Sequence, residues 1–199
     1  MTDNIPDIID YLAGIEPGSK GAALRARRPV TKEGAQASWR ALLAPSDTSQ
    51  FSLLERFAVA TFVAALHGES EIASFYAAKL AGEETGAALP AAVKTAAAEG
   101  AGTGPYGHYP AGPLSSEDRD GPVFTVQATE KAVLGPRLSA ALEHAHLLVF
   151  HLRDAEPQAL DRLIKAGWST TGIVTLSQLV SFLAFQIRVV SGLRVLNAA

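Results

Sequence analysis

Histidine is the side chain that titrates nearest neutrality, and three of the five histidines, His144, His146 and His151, fall in one predicted helix of this chain. Metal binding or proton transfer is the chemistry to test there first. On a helical wheel His144 and His151 are nearly aligned while His146 points almost opposite His144, so no pair has the i, i+4 spacing of a helical zinc site. The spacing therefore favours polar packing or an exposed face over a metal, and no metal or cofactor is expected. Tyr106, His108 and Tyr109 stand in a Gly/Pro-rich stretch and could fold over a pocket as a polar, aromatic lid, His108 bringing a titratable group to a ligand. An ordinary surface loop is the simpler reading. Lys20, Arg25, Arg27 and Arg28 could hold an anion, against the simpler alternative of a solvated arm or ion pairs to a neighbouring subunit. The chain has no cysteine, which removes disulfides, thiolate metal ligands and thiol nucleophiles together.

The positioning elements read as helices. Hydrophobic residues make up 48% of the 199 positions but aromatics only 7%, a balance that favours closely packed helices over a β-sandwich. A net charge of -3, from 20 acidic and 17 basic residues, gives no field for nucleic acid or an anionic membrane. Met1 to Pro6 lacks the basic and apolar regions of a signal peptide, from which a cytoplasmic location is expected. Trp168 to Ile187 carries no formal charge and is long enough to cross a bilayer. Its Ser169, Thr170, Thr171, Thr175, Ser177, Gln178, Ser181 and Gln186 fit a core or subunit interface better than lipid.

One domain is expected over 1–199, with an N-terminal arm and helix in 1–50, a helical core in 51–99, a loop in 100–126 and a helical half in 127–199. Ile5 to Leu12 carries one or two helical turns, closed by Gly14, Pro17 and Gly18, and reads as an arm more than a core. Thr31 is the expected cap of a helix through Trp39 and Leu43, stopped at Pro45. Ser52 and Glu55 form a capping box ahead of the apolar run Phe57 to Leu66. Ser70 to Leu80 then pairs with that run as a hairpin around Gly68. Glu99 to Pro122 is too rich in Gly and Pro for regular structure. The chain becomes helical again near Pro136, starts a short helix at Asp154 and Pro157, and runs from Ser169 or Thr170 to about Leu196 as a long helix.

Two of these segments resemble a known family. Glu55, Arg56 and Phe57, then Ala58 to Leu66, His67, Gly68, Glu69, Ile72 and Tyr76 are similar, without a gap, to a motif of the peroxidase-related branch of the alkylhydroperoxidase D-like (AhpD-like) and carboxymuconolactone decarboxylase (CMD) superfamily. That motif reads Glu-Arg-Glu, an apolar stretch, Asn, any residue, then Cys-x-x-Cys-x-x-x-His. Glu143 to Leu193 resembles the family's C-terminal half, with an acidic loop before Pro157, a short helix ending at Ala166 and Gly167, and an aromatic-rich long helix in which Ile187 and Arg188 stand where Asn-Arg is usual.

The resemblance implies an all-α, AhpD-like fold with a central helical hairpin and a long C-terminal helix, assembled as an oligomer. It also places Phe57 at the relay glutamate, Glu69 and Ile72 at the two cysteines and Tyr76 at the histidine. The thiol nucleophile and its proton relay are therefore both replaced. Glu69, Ile72 and Tyr76 fall within a sector of about 60° on one helix, so they should face a common region. If that region is an apolar pocket, a desolvated Glu69 beside Tyr76 could act as an acid. The plainer readings are a solvent-facing Glu69 at a helix start and a core Tyr76. The leading expectation is a non-thiol structural or ligand-binding subunit of a homo-oligomer, or of a hetero-oligomer with a cysteine-containing paralogue. The second is a cysteine-independent, decarboxylase-like enzyme using Glu69, Tyr76 and His108.

Overall fold

Alanine-rich apolar runs punctuated by Gly and Pro fold into nine helices in the computed structural model, which describes residues 5–198. Among the described residues there is no strand. The helices are α1 (Ile8–Ala13), α2 (Lys20–Ala26), α3 (Pro29–Leu43), α4 (Leu53–Leu66), α5 (Ser70–Ala81), α6 (Leu89–Glu99), α7 (Ala128–Phe150), α8 (Pro157–Lys165) and α9 (Thr170–Ala198). The fold is all-α with a long C-terminal helix, as the sequence predicts.

Helix α4 is the axis of the molecule. Ser52 and Glu55 close the expected capping box, and Phe57 to Ala64 are all buried, because an unbroken apolar run has no polar stripe to turn outward. Around α4 pack α5, its hairpin partner, and α6, α7 and α9. The hairpin turns at Gly68, whose φ of 74° is a conformation that glycine adopts without penalty.

Three expectations are corrected, and one helix is added. The N-terminal segment belongs to the core: Ile8 and Ile9 are fully buried. Its polar groups are matched from a distance in sequence, since Gln36 Oε1 accepts the Ile8 N–H at 2.8 Å and Arg25 bridges Asp7 and Asp10 at 2.9 Å each. The basic cluster is thus partly consumed inside the chain. Helix α3 starts at Pro29, not at a Thr31 cap, because a proline in the first turn already has the right φ and no N–H to satisfy. Helix α6, which the sequence reading passes over, covers Val93, Ala96 and Ala97 against the core. Helix α7 already begins at Ala128, but it is broken at Gly135, whose φ 74° and ψ 166° are not helical, so a second helical run does start at the expected Pro136.

Arg137, just past that break, ties three elements together. Its Nε donates to Glu55 Oε1 at 2.6 Å, its Nη2 to the Gln50 carbonyl at 2.9 Å and its Nη1 to the Gly167 carbonyl, while the guanidinium lies 4.1 Å from the Trp168 ring centroid. By length and composition α9 could cross a membrane; half of its apolar window is buried within the fold.

Candidate functional site

Phe57, Glu69, Ile72 and Tyr76, singled out by the sequence, do not gather around one cavity. Ile72 and Tyr76 are fully buried, and the Tyr76 hydroxyl donates to Gln186 Oε1 at 2.6 Å inside the core. Burial pushes the phenol well above its ordinary value of 10.0, outweighing the opposing polar contacts of Gln186 and Trp39. Glu69 is the residue before α5, with no capping bond of its own. Its carboxylate accepts from the Ser191 hydroxyl and from Arg194 Nη1, the latter at 3.3 Å. Arg194 also donates to the Leu12 carbonyl at 2.8 Å, so Glu69 joins the start of α5 to α9 and, through Arg194, to α1. Phe57 lies elsewhere, on an apolar groove of about 490 Å³ shared with Trp39, Leu43, Leu53 and Phe75. Lys79 Nζ sits 5.9 Å from the Phe57 ring centroid.

A larger cavity, about 570 Å³, opens between α7, α8 and the end of the long loop, and its lining includes His144, His146 and His151. Helical extrapolation mispairs these three. The helix ends at Phe150, and His151 leaves it with φ -126° and ψ 34°, so the wheel position of His151 has no meaning. His151 instead comes within 6.0 Å of His146, centroid to centroid.

Each imidazole has a different set of partners. His146 Nε2–H donates to the Gly100 carbonyl at 2.9 Å, and its ring stacks on Phe124 at 4.9 Å and meets Phe150 edge-on at 5.0 Å. His151 faces two acceptors, Asp154 Oδ2 at 2.9 Å and the Pro122 carbonyl at 3.0 Å. His144 Nε2 lies 3.4 Å from Ser177 Oγ, which is also 3.0 Å from the Ile173 carbonyl. A hydroxyl has one proton, so Nε2–H faces Ser177 in one imidazole tautomer, and in the other Ser177 donates to Nε2 while Nδ1 carries the hydrogen. That Nδ1 is buried with no partner. Burial holds His144 and His146 below the ordinary 6.5, helped by the charge of Arg162 at His144 and by His151 at His146.

The loop packs down rather than standing over the cavity as a lid. Tyr106 is buried, and its hydroxyl accepts the Thr103 N–H at 3.1 Å. Gly107 takes φ 101° and pairs with Arg119; a Cβ there would lie 2.6 Å from Asp154 Oδ1, so only glycine brings the loop this close. The adjacent His108 N–H donates to that oxygen at 3.1 Å. The His108 ring is 60% exposed, 3.2 Å from Asp120 Oδ1, outside the cavity. Partial burial of Asp154 acts upward on its carboxyl, but the bonds from His151 and His108 prevail and hold it below 3.8.

Sequence reasoning missed Glu143, Asp154 and Arg162 as members of this site. Only His151 and Asp154, three apart across a helix stop, left a readable trace of it, a local His–Asp turn. Among the described residues no group of His, Asp and Glu could hold a metal ion. Ser177 and His144 lack the third member of a nucleophile–base–orienter set, since no carboxylate orients the imidazole. What the cavity offers is two neutral imidazoles, an aromatic wall and flanking charges. Comparison with protein-family models, curated sequences and solved structures yields no match for this chain.

Proposed function

We propose that this chain is a non-thiol relative of the AhpD-like and CMD proteins that binds a small molecule in the cavity between α7 and α8. One observation carries the reading: a concave space of about 570 Å³ in which apolar and aromatic walls meet several polar side chains, among them Glu143, His144, His146 and His151. This is the general character of small-ligand sites. The thiol-free part follows from chemistry, since no sulfur nucleophile exists in the chain. The acid–base alternative at Glu69 and Tyr76 is the weaker one, because the phenol is sealed in the core and the carboxylate is engaged by Ser191 and Arg194.

Assembly belongs to the same proposal. Val174, Phe185, Val195 and Leu196 of α9 are exposed, and symmetric pairing with another copy, or with a cysteine-bearing paralogue, would cover them.

The test combines fragment screening by ligand-observed NMR with a cavity-blocking variant, Ala140→Phe, on the lining face of α7. Fragments that bind the parent and shift the His144 and His146 imidazole resonances, but do not bind Ala140→Phe, support the proposal. Fragments that bind both proteins equally overturn it. Peroxide turnover by the purified protein with a supplied dithiol would overturn the non-thiol reading separately. Light scattering at several concentrations tests assembly, and a monomer throughout excludes the homo-oligomer.

A further inference from the structure

Resting on the assembly part of that proposal, we infer that α9 pairs with the α9 of a second copy, antiparallel, along its outward face and centred level with Leu183. The argument starts from the burial pattern of this helix. Between Thr171 and Val195 eight residues are exposed, and they recur at alternating steps of three and four without exception. That is the 3.5-residue repeat of a helix seam. Leu176, Leu183 and Val190, on the opposite face, are fully buried in the core, so the stripe is the face that the chain itself leaves uncovered.

Its composition is not that of a solvated face. Arg188 is the single charged residue among the eight, whereas the nine-residue α8 exposes Asp161, Arg162 and Lys165. Val174, Phe185 and Val195 are 56%, 38% and 70% exposed. Depletion of charge around exposed apolar side chains marks a contact surface. Lipid is a poor occupant, because Gln178, Ser181 and Arg188 stand in the middle of the stripe.

The stripe complements itself in one direction. The order of its steps reads the same from either end, so two antiparallel copies centred level with Leu183 match all eight positions, each contact occurring twice about the two-fold axis. Phe185 then lies against Ser181 and Val174 against Gly192, a large side chain over a small one each time, while Thr171 meets Val195. Gln178 meets Arg188. Gln178 makes no hydrogen bond among the described residues, and Arg188 donates only to the Ala184 carbonyl of its own helix, at 3.0 Å, so the carboxamide oxygen can accept from the guanidinium across the interface. Parallel pairing instead sets Arg188 on Arg188 and Gly192 on Gly192, which brings like charges together and leaves a gap. The stripe is about 36 Å long at 1.5 Å per residue. With the half-buried Ala184 and Val189 on its flanks, it offers roughly 500 Å² per partner, the small end of specific interfaces, so a dimer of micromolar affinity is expected.

Cross-linking tests the pairing without background, because the chain has no cysteine. Thr171→Cys and Val195→Cys are treated with a short bismaleimide, each alone and as a one-to-one mixture. The mixture should give cross-linked dimers and the separate proteins almost none, since antiparallel pairing holds like positions about 36 Å apart. In sedimentation equilibrium Gln178→Glu, which adds two ion pairs to Arg188, should tighten the dimer about fivefold, a gain that misfolding cannot produce. Phe185→Glu should weaken it about tenfold or more, with circular dichroism and the urea midpoint showing that the fold is kept. Cross-links of each cysteine variant with itself, or a looser dimer in Gln178→Glu, overturn the antiparallel pairing and leave assembly standing. A dimer unchanged by both substitutions and without cross-links lies on another face and also overturns the pairing. A monomer at every concentration up to about 1 mM overturns the pairing and the homo-oligomer together. Flotation of such a monomer with vesicles of phosphatidylcholine and phosphatidylglycerol, abolished by Phe185→Glu, assigns the stripe to lipid and overturns the second copy as its occupant.

Discussion

Replacing Tyr76 by Phe removes one oxygen from a fully enclosed place. The hydroxyl donates to Gln186 Oε1 at 2.6 Å, and Gln186 Nε2 already lacks a partner, so the variant leaves the whole carboxamide uncompensated. Stranding a buried acceptor costs about 1–3 kcal/mol, and about 2 kcal/mol is expected here because the ring's apolar contacts remain. With a urea slope of about 2–3 kcal/mol per molar for a chain of this size, the unfolding midpoint should fall by just under about 1 M. Gln186→Met, which strands the phenol instead, should cost a similar amount. The double variant removes both polar groups together, so it should cost clearly less than the sum, with a coupling of about 1–2 kcal/mol. Urea unfolding of the four proteins by circular dichroism measures the cycle. Additive costs, or a Tyr76→Phe cost below about 0.5 kcal/mol, would refute the buried pair. A variant of full stability that has lost an activity would restore Tyr76 as a chemical group.

Three further predictions concern the surrounding structure. Because His144 and His146 are held below 6.5 in the folded chain, the unfolded chain binds more protons; the associated stability is present above pH 6.5 and declines as pH falls, so the urea midpoint should drop between about pH 7.5 and about pH 5.5, and less steeply in His146→Phe. Arg137→Met gives up the Glu55 ion pair and two carbonyl contacts while keeping most of its packing on Trp168; a loss of about 2 kcal/mol is expected in urea unfolding, and no change would mean that the latch is idle. Asp154→Asn weakens the acceptor for His151 and for the His108 N–H, so hydrogen exchange at Gly107 and His108 should accelerate while α4 amides are unaffected; equal protection in both proteins would show that the loop is held elsewhere.

The helical class, the Ser52 capping box, the α4–α5 hairpin and the long α9 were legible in the sequence, since caps, breakers and hydrophobic period act between residues a few positions apart. The cavity was not. Its histidines could be counted, but their pairing depended on where α7 stops: a single departure at His151 put that ring beside His146 and left His144 with Ser177. The N-terminal segment was misread for a related reason, because Ile8 and Ile9 are apolar in any reading and only α3 and α9, far away in the chain, decide that they are covered.

The sequence by itself determined that the chain carries no thiol and that it is built of helices, and it singled out Phe57, Glu69, Ile72 and Tyr76 for attention. Composition and local spacing suffice for such statements. Only tertiary structure decided what those positions do: Tyr76 bonds Gln186 in the core, Glu69 joins α5 to α9, and Phe57 lines a separate groove. Burial, orphaned polar atoms and the convergence of charges are properties of packing between distant segments, and no local pattern encodes them.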